Sequence, residues 1–506
     1  MKIQIGKYYL DEEQTKIVMD NSRYLLVVAG AGSGKTLTIL GKIKYLIYEK
    51  NIRPEEILCI SYTRAAAQSL KDKIKNEFNT DMDVYTFHKL AMRILEENNI
   101  KFDITDNETL ERIINKYIYQ DVLGSKKHYQ AILSFFNIKA KSLKEYKNFI
   151  YKNTDLVLEY EKLIAKYIRL FKCNGYDISY FKEIIKKDRW KFWKYKKKKD
   201  FVIVVLNIYL RYQKYLEEEK ELDFDDLIIR ACEVVKSGGV IFKYKIIIID
   251  EYQDTSLIRF YLIREMLLKI GCRYMVVGDD FQSIYRFTGC DLDLFINFKK
   301  YFLNGKILKI QNTYRNSQEL IDIAGSFVMQ NKRQIDKKLK SAKRLDKPLK
   351  IVYYKDIASS IKKVILKNKE SKYLILGRNN KDRGMILDNR NFKLVDDKVV
   401  MIGYEDVDIT YMTIHKSKGL ECDNVIMINL RDSIMGFPNK IEDHEYLGDV
   451  AIVNDKYPYN EERRLFYVGI TRTKNYCFLM VPYSSKSLFI KELEKNYLRK
   501  LEIIND

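Results

Sequence analysis

Short apolar runs punctuate the chain at residues 24–28, 57–62, 246–249, 275–277, 374–376, 409–414, 425–428 and 476–481. They are continuous rather than alternating, the pattern of strands buried on both faces of a parallel sheet. Each ends in a polar, glycine-bearing or acidic segment, and open α/β sheets bind ligands at the carboxyl ends of their strands. Between about 90 and 220 the pattern gives way to long Lys/Glu/Tyr-rich stretches with few glycines, which predicts helices. No repeat of solenoid period and no low-complexity linker interrupts this order. The one biased run is 191–199, Lys-Phe-Trp-Lys-Tyr-Lys-Lys-Lys-Lys.

A length of 506 residues suggests three or four compact units at roughly 100–200 residues each. With 46% hydrophobic and 32% charged residues, the composition is globular and excludes a disordered chain. No apolar run approaches the ~20 residues of a membrane span, and the first residues lack the apolar stretch of a signal peptide. The seven cysteines (59, 173, 232, 272, 290, 422, 477) form no Cys-x-x-Cys pair, and there are only four histidines. A zinc site or disulfide framework is therefore not expected, and a cytoplasmic location is. The balance of 91 basic and 69 acidic residues gives +22, a field suited to a polyanionic partner, nucleic acid before membrane surface. Lys, Ile, Asn and Tyr are all abundant, as an AT-biased genome produces, so charge alone does not define the partner.

Two motifs carry chemistry by themselves. Ala29, Gly30, Ala31, Gly32, Ser33, Gly34, Lys35 and Thr36 follow the first apolar run directly. This is a phosphate-binding loop: small residues let backbone amides curl round phosphates, Lys35 adds a point charge, and the Thr36 hydroxyl ligates Mg²⁺. The usual pattern opens with Gly where Ala29 stands. The run 246–249 ends in Asp250 and Glu251, an acidic pair in which Asp250 holds Mg²⁺ and Glu251 polarises the attacking water. The two together predict ATP hydrolysis with ATP and Mg²⁺ bound.

With these two, further segments of the chain resemble the motifs of UvrD/Rep-type superfamily 1 DNA helicases. They are 250–255 (Asp-Glu-Tyr-Gln-Asp-Thr), 277–289 around Gln282, 313–316 (Thr-Tyr-Arg-Asn), 413–421 (Thr-Ile-His-Lys-Ser-Lys-Gly-Leu-Glu) and 461–472 (Glu-Glu-Arg-Arg-Leu-Phe-Tyr-Val-Gly-Ile-Thr-Arg). Gln14, 61–67, 86–88 and 223–227 match lesser motifs, and 278–282 with 436–438 resemble the helicase IV-like branch. The resemblance implies an α/β fold of two RecA-like P-loop domains with a helical insertion in the first and a reduced second insertion. It implies that Gln14 reads the adenine edge, Tyr314 stacks on its face and Glu421 contacts the ribose. Gln282 would sense the γ-phosphate or the attacking water, and Arg315 and Arg472 would act as arginine fingers from the second lobe. Tyr62, Thr63, His88, Tyr285, Phe287 and His415 would line a single-strand DNA channel, where base stacking is worth about 1–3 kcal/mol per base.

Departures from that family are visible. Phe287 and Thr288 stand where Trp and Arg are usual, and Leu37 stands where Arg is. The expected division is a first motor domain at 1–89 and 222–297, a helical insertion at 90–221, and a second motor domain at 298–378 and 408–506. Only 379–407 remains for the second insertion, a remnant at most, and 431–460 is a surface excursion without an assigned role. The resemblance implies 3′→5′ movement on single strands and at single-strand/duplex junctions. The alternatives are a motor subunit of a defence or nuclease complex, with no nuclease motif in this chain, and a non-catalytic scaffold. A repair or defence partner protein is compatible with either motor. The run 182–199, with Trp190, Phe192, Trp193 and Tyr195 among its lysines, is a candidate nucleic-acid surface or a solvated helix face.

Overall fold

The computed structural model describes residues 2–139, 142–187, 192–239, 242–452 and 455–505. Two six-stranded sheets, parallel throughout, organise it. The first contains β1 (Tyr24–Ala29), β2 (Ile57–Ser61), β3 (Asp83–Thr86), β4 (Ile246–Ile249), β5 (Arg273–Gly278) and β6 (Lys306–Ile310), in the spatial order β6-β1-β5-β4-β2-β3. The second contains β7 (Leu349–Tyr354), β8 (Tyr373–Gly377), β9 (Ile409–Thr413), β10 (Asn424–Met427), β11 (Cys477–Pro482) and β12 (Glu502–Asn505), ordered β9-β8-β10-β11-β7-β12. Every residue of β2, β4, β8 and β10 is buried, as continuous apolar runs require of strands covered on both faces. Parallel sheets with covering helices are the RecA-like pattern, one sheet to each lobe.

Between β3 and β4 the chain forms the expected helices, among them Thr109–Tyr119, Lys126–Phe135, Thr154–Cys173 and Phe192–Glu219. Their buried faces merge with one face of the first sheet into a single core that includes Leu26, Ile60, Ile114, Ile168 and Val205. The helix Phe224–Lys236 returns the chain to the sheet, capped at its start by the Asp223 carboxylate. Trp190, and the side chains of Phe192, Trp193 and Tyr195, lie outside the described residues, so the aromatic half of that basic run is not placed.

Two placements differ from expectation. β6, assigned from sequence to the second lobe, pairs residue for residue with β1 (Lys306 with Leu25 through Ile310 with Ala29) and forms the edge of the first sheet. Its sequence, Lys-Ile-Leu-Lys-Ile, is interrupted by two exposed lysines, as an edge position allows, so it lacks the continuous run used to find strands. The first lobe thus extends through Ile310. The segment 379–407 is a short helical turn, Asn380–Met385, followed by an antiparallel hairpin, Phe392–Val395 with Lys398–Met401. Ile386, Phe392, Val399 and Met401 are buried with Ile361 and Ile375, so this hairpin covers the second sheet.

The connection after β6 ties the lobes together. Lys337 is fully buried and pairs with Asp279 and, at 2.5 Å, with Asp280 beyond β5. The ammonium also lies 3.7 Å from the Phe281 ring centroid. Removing one partner of a buried ion pair leaves unpaired charge and costs about 3–5 kcal/mol. Lys337→Met is therefore expected to lower the melting temperature markedly in calorimetry. Unchanged melting would show that the two aspartates do not need this cation.

Candidate active site

The phosphate loop joins β1 to the helix Lys35–Tyr48. Gly32 and Gly34 adopt positive φ (69° and 78°), which glycine supplies without steric cost, and this turns the loop back on itself. The loop is closely packed from the second lobe's side. A Cβ on Gly30 would fall 2.4 Å from Leu339, and one on Gly32 would fall 2.5 Å from the Arg315 Cβ. Ala29 and Ala31 are buried beneath it. The Ser33 hydroxyl is buried without a hydrogen-bond partner among the described residues, an orphan in keeping with a loop built around a polar guest.

Lys35, the first residue of the helix, lies 3.3 Å from Glu251. Thr36 follows it at the positive helix end. Glu251 sits in the left-handed region at φ 53°, a conformation costing of order 1–3 kcal/mol that functional sites retain. Its carboxylate accepts from Gln253 at 2.6 Å. Burial, then the adjacent Glu251, pushes Asp250 up, whereas Lys35 and Lys418 hold Glu251 below its usual range against burial. The pair is thereby split into two electrostatically distinct carboxyls. The hydroxyl of Thr36 and the carboxyl of Asp250 are oxygen donors of the kind Mg²⁺ takes, and the Lys35 ammonium is a cation suited to a nucleotide phosphate.

Side chains from the second lobe complete the cleft. Arg315 donates to Glu421 at 2.8 Å. Arg472 is buried, and its guanidinium donates to the Gln282 amide oxygen at 3.2 Å and to the carbonyls of Val468 (3.0 Å) and Leu420 (3.2 Å). Among the described residues no carboxylate pairs with it. Burial, then the neighbouring Arg315, pulls its pKa down to about 9. A buried arginine beside another arginine is costly without an anion, so the site has a place for one. Gln282 in turn donates to Asp279 at 2.6 Å.

The residues expected around the base divide. Tyr314 is 63% exposed beside the loop, its amide bonded to the Gly32 carbonyl and its hydroxyl to Asp11 at 2.8 Å, so a ring face is open to a base. Gln14 is buried, with its amide donating to the Ser33 carbonyl at 3.2 Å and accepting from the Asp11 N–H at 3.1 Å. It braces the loop from behind.

On the other side of the same segment, Tyr285, Phe287 and His415 form one aromatic cluster with centroids 5.7–6.2 Å apart. Phe287 is 52% exposed. His88 stands apart, edge-on to Phe224 at 5.0 Å. Two cavities meet at Phe287: one of about 1290 Å³ that reaches His415, the other of about 450 Å³ that reaches His88 and Phe224. Tyr62 is half-buried in the wall. Its hydroxyl is bonded to Thr255, and its ring packs on Phe87 at 5.4 Å. Thr63 caps the helix Arg64–Phe78 through its hydroxyl.

Three cations were not singled out from sequence. Lys418, nearly buried, donates to Asp254 at 2.5 Å and to the Gln282 carbonyl at 2.8 Å; Arg464 donates to the Ser283 carbonyl at 2.6 Å; Lys337 is described above. Lys418 and Arg464 lie inside motif-bearing segments, so a signal existed, but the acceptors they meet come from the other lobe. Lys337 lies in a segment with no motif.

Two parallel α/β lobes, with a phosphate loop and acidic pair on one and arginines reaching in from the other, define a two-lobed P-loop motor. Comparison with known proteins narrows this class: residues 10–303, more than half the chain, match the UvrD/REP helicase N-terminal domain, and 391–484 match the UvrD-like helicase C-terminal domain. The chain belongs to the UvrD/Rep helicase family. DNA helicase IV of Escherichia coli (strain K12) is 27% identical over 97% of this chain and 71% of its own length. A probable DNA helicase of Mycoplasma pneumoniae is 27% identical over 97% of this chain and 88% of its own. The ATP-dependent DNA helicase Rep of Buchnera aphidicola is 30% identical over 68% of this chain, which spans 48% of that relative's length.

Glu251→Gln is expected to abolish turnover in an ATPase assay while nucleotide binding persists, since Asp250 and Lys35 stay in place. Hydrolysis at the wild-type rate would remove Glu251 from the chemistry. A second expectation concerns pH. Burial, then the nearby Arg378, lowers the His415 pKa to about 4, against about 6.5 for an unfolded histidine. Its contribution to stability is complete above pH 6.5 and is lost as pH falls toward 4. His415→Gln should therefore lose less melting temperature than the wild type between pH 7 and 5. Equal losses would place a histidine of ordinary pKa there.

Proposed function

We propose that the chain is an ATP-dependent DNA helicase and single-strand translocase that steps 3′→5′. The observation that carries this reading is Arg472, a buried second-lobe guanidinium with no carboxylate partner among the described residues, donating to Gln282 of the first lobe. A γ-phosphate between the lobes would supply the missing anion. Thr36 and Asp250 would hold Mg²⁺, which when bound supplies counter-charge to the phosphates.

The chain's own groups do the rest. Lys35 and the loop amides orient the phosphates, and Glu251 takes up the proton of the attacking water. Arg315 and Arg472 neutralise the charge that develops in transfer, the positioning and electrostatic work on which phosphoryl transfer depends. Arginines from the opposite lobe make turnover depend on lobe closure. Gln282 lies three residues from Tyr285 and five from Phe287, so a shift of the arginine is felt at the aromatic cluster, where bases would stack without regard to sequence.

The hairpin at 392–401 offers no separate domain to grip a duplex, and opening DNA costs about 1.4 kcal/mol per stacked step. The isolated chain is therefore expected to show strong ATPase stimulation by single-stranded DNA and rapid stepping on a bare 3′ tail. It should slow sharply where the tail meets a GC-rich duplex. Single-turnover kinetics on matched substrates test this. ATPase indifferent to single strands would overturn the motor reading, and equal rates over tail and duplex would show active strand separation.

A further inference from the structure

The excursion after β10 does not lie free on the surface. Its residues 431–452 leave the second lobe and dock on the helical insertion of the first. Tyr446, Leu447 and Val450 are buried in the insertion's own core, with Tyr446 5.0 Å from Phe201 and His444 5.4 Å from Phe135 between ring centroids. Polar contacts surround this plug. Asn174 donates to the Val450 carbonyl at 2.7 Å, Tyr180 to the Asp449 carbonyl at 2.9 Å, and Lys198 to the Asp449 carboxylate at 2.7 Å. Asp443 joins three elements at once, accepting from Lys166 of the insertion at 2.5 Å and from Arg286 of the first lobe at 3.1 Å.

This docking bears on the two cavities that meet at Phe287. The larger is lined by Phe287 and His415 together with Met435, Asn439 and Asp443 of the excursion. The smaller lies between the first lobe and the insertion and is lined by Asn107 and Arg169 as well as Phe287. The cavities at the aromatic cluster are thus bounded by both the excursion and the insertion, and the contacts above join these two pieces. Lobe, insertion, excursion and second lobe form a closed circuit of protein.

We propose that 431–452 is a strap that encircles a single-stranded nucleic acid passing Phe287, so that a strand enters by a free end or when the strap lifts. The proposal rests on the single-strand reading given above. The plug is apolar and the Asp443 bridge is ionic and part-exposed, so the Asp443 end is the one that added salt would release first. Part of the basic run is also accounted for, since Lys198 holds the strap through Asp449.

The test locks the strap. Lys166→Cys with Asp443→Cys, in a background carrying Cys232→Ser and Cys422→Ser, is joined by a short bismaleimide. Retention after a high-salt wash is then measured on immobilised circular single-stranded DNA and on linear strands with a free 3′ end. Protein cross-linked before mixing is expected to load on linear strands and be excluded from circles. Protein cross-linked after mixing is expected to stay on circles through the wash. Equal loading on circles before and after cross-linking would show that the strap does not enclose the strand. Exclusion from both DNAs would show that it blocks the channel. Both outcomes overturn the proposal. Failure of the protein without cross-linker to bind either DNA would instead overturn the single-strand reading itself.

Discussion

A buried cation must meet an acceptor, and in this protein that rule sets how the two lobes meet. Lys418, Arg464 and Arg472 belong to the second lobe, are nearly or fully buried, and all donate to residues 282–283 or their neighbour Asp254 in the first. Leaving any of them unpaired in a dry seam would cost several kcal/mol. These buried cations of the second lobe thus converge on one short stretch after β5. That stretch has the Gln282 amide at one end and the Phe287 ring at the other, so the seam that keeps the lobes together is also the path between nucleotide and strand.

The same economy appears where the chain lacks a second helical domain. The hairpin at 392–401 completes the second lobe's own core. The role of reaching across to the first lobe's insertion falls to the excursion after β10, whose apolar plug is buried as deeply as the insertion's own side chains. Contact between the second lobe and the insertion is retained through a segment of some twenty residues.

Much of this was legible in the sequence because the decisive features are local. A continuous apolar run followed by Gly-Lys-Thr or Asp-Glu announces a buried parallel strand and its ligand end, and four strands of each sheet were found from such runs. β3, β6, β7 and β12 were missed because each carries charged residues within its four to six positions, such as Asp83, Lys306 and Lys309, Lys350 or Glu502, and so shows no continuous apolar run. Gln14 and Tyr62 were located but their surroundings were not. Whether an amide faces a base or braces a loop, and whether a phenol is open or already bonded to Thr255, depends on residues far along the chain. The strap was visible only as an unexplained length between two motifs, since its partners Lys166, Asn174 and Phe201 lie more than 200 residues upstream.

The close packing of the phosphate loop has one more consequence. Leu339 and Arg315 stand where side chains at residues 30 and 32 would begin. The loop is therefore as thin as a polypeptide can be at the two points where the opposite lobe touches it. Glycine there serves as a spacer of minimum thickness, fixing how near the arginines come to the cleft. A single added methyl group would act as a shim, holding the lobes apart while leaving every charged group in the cleft intact.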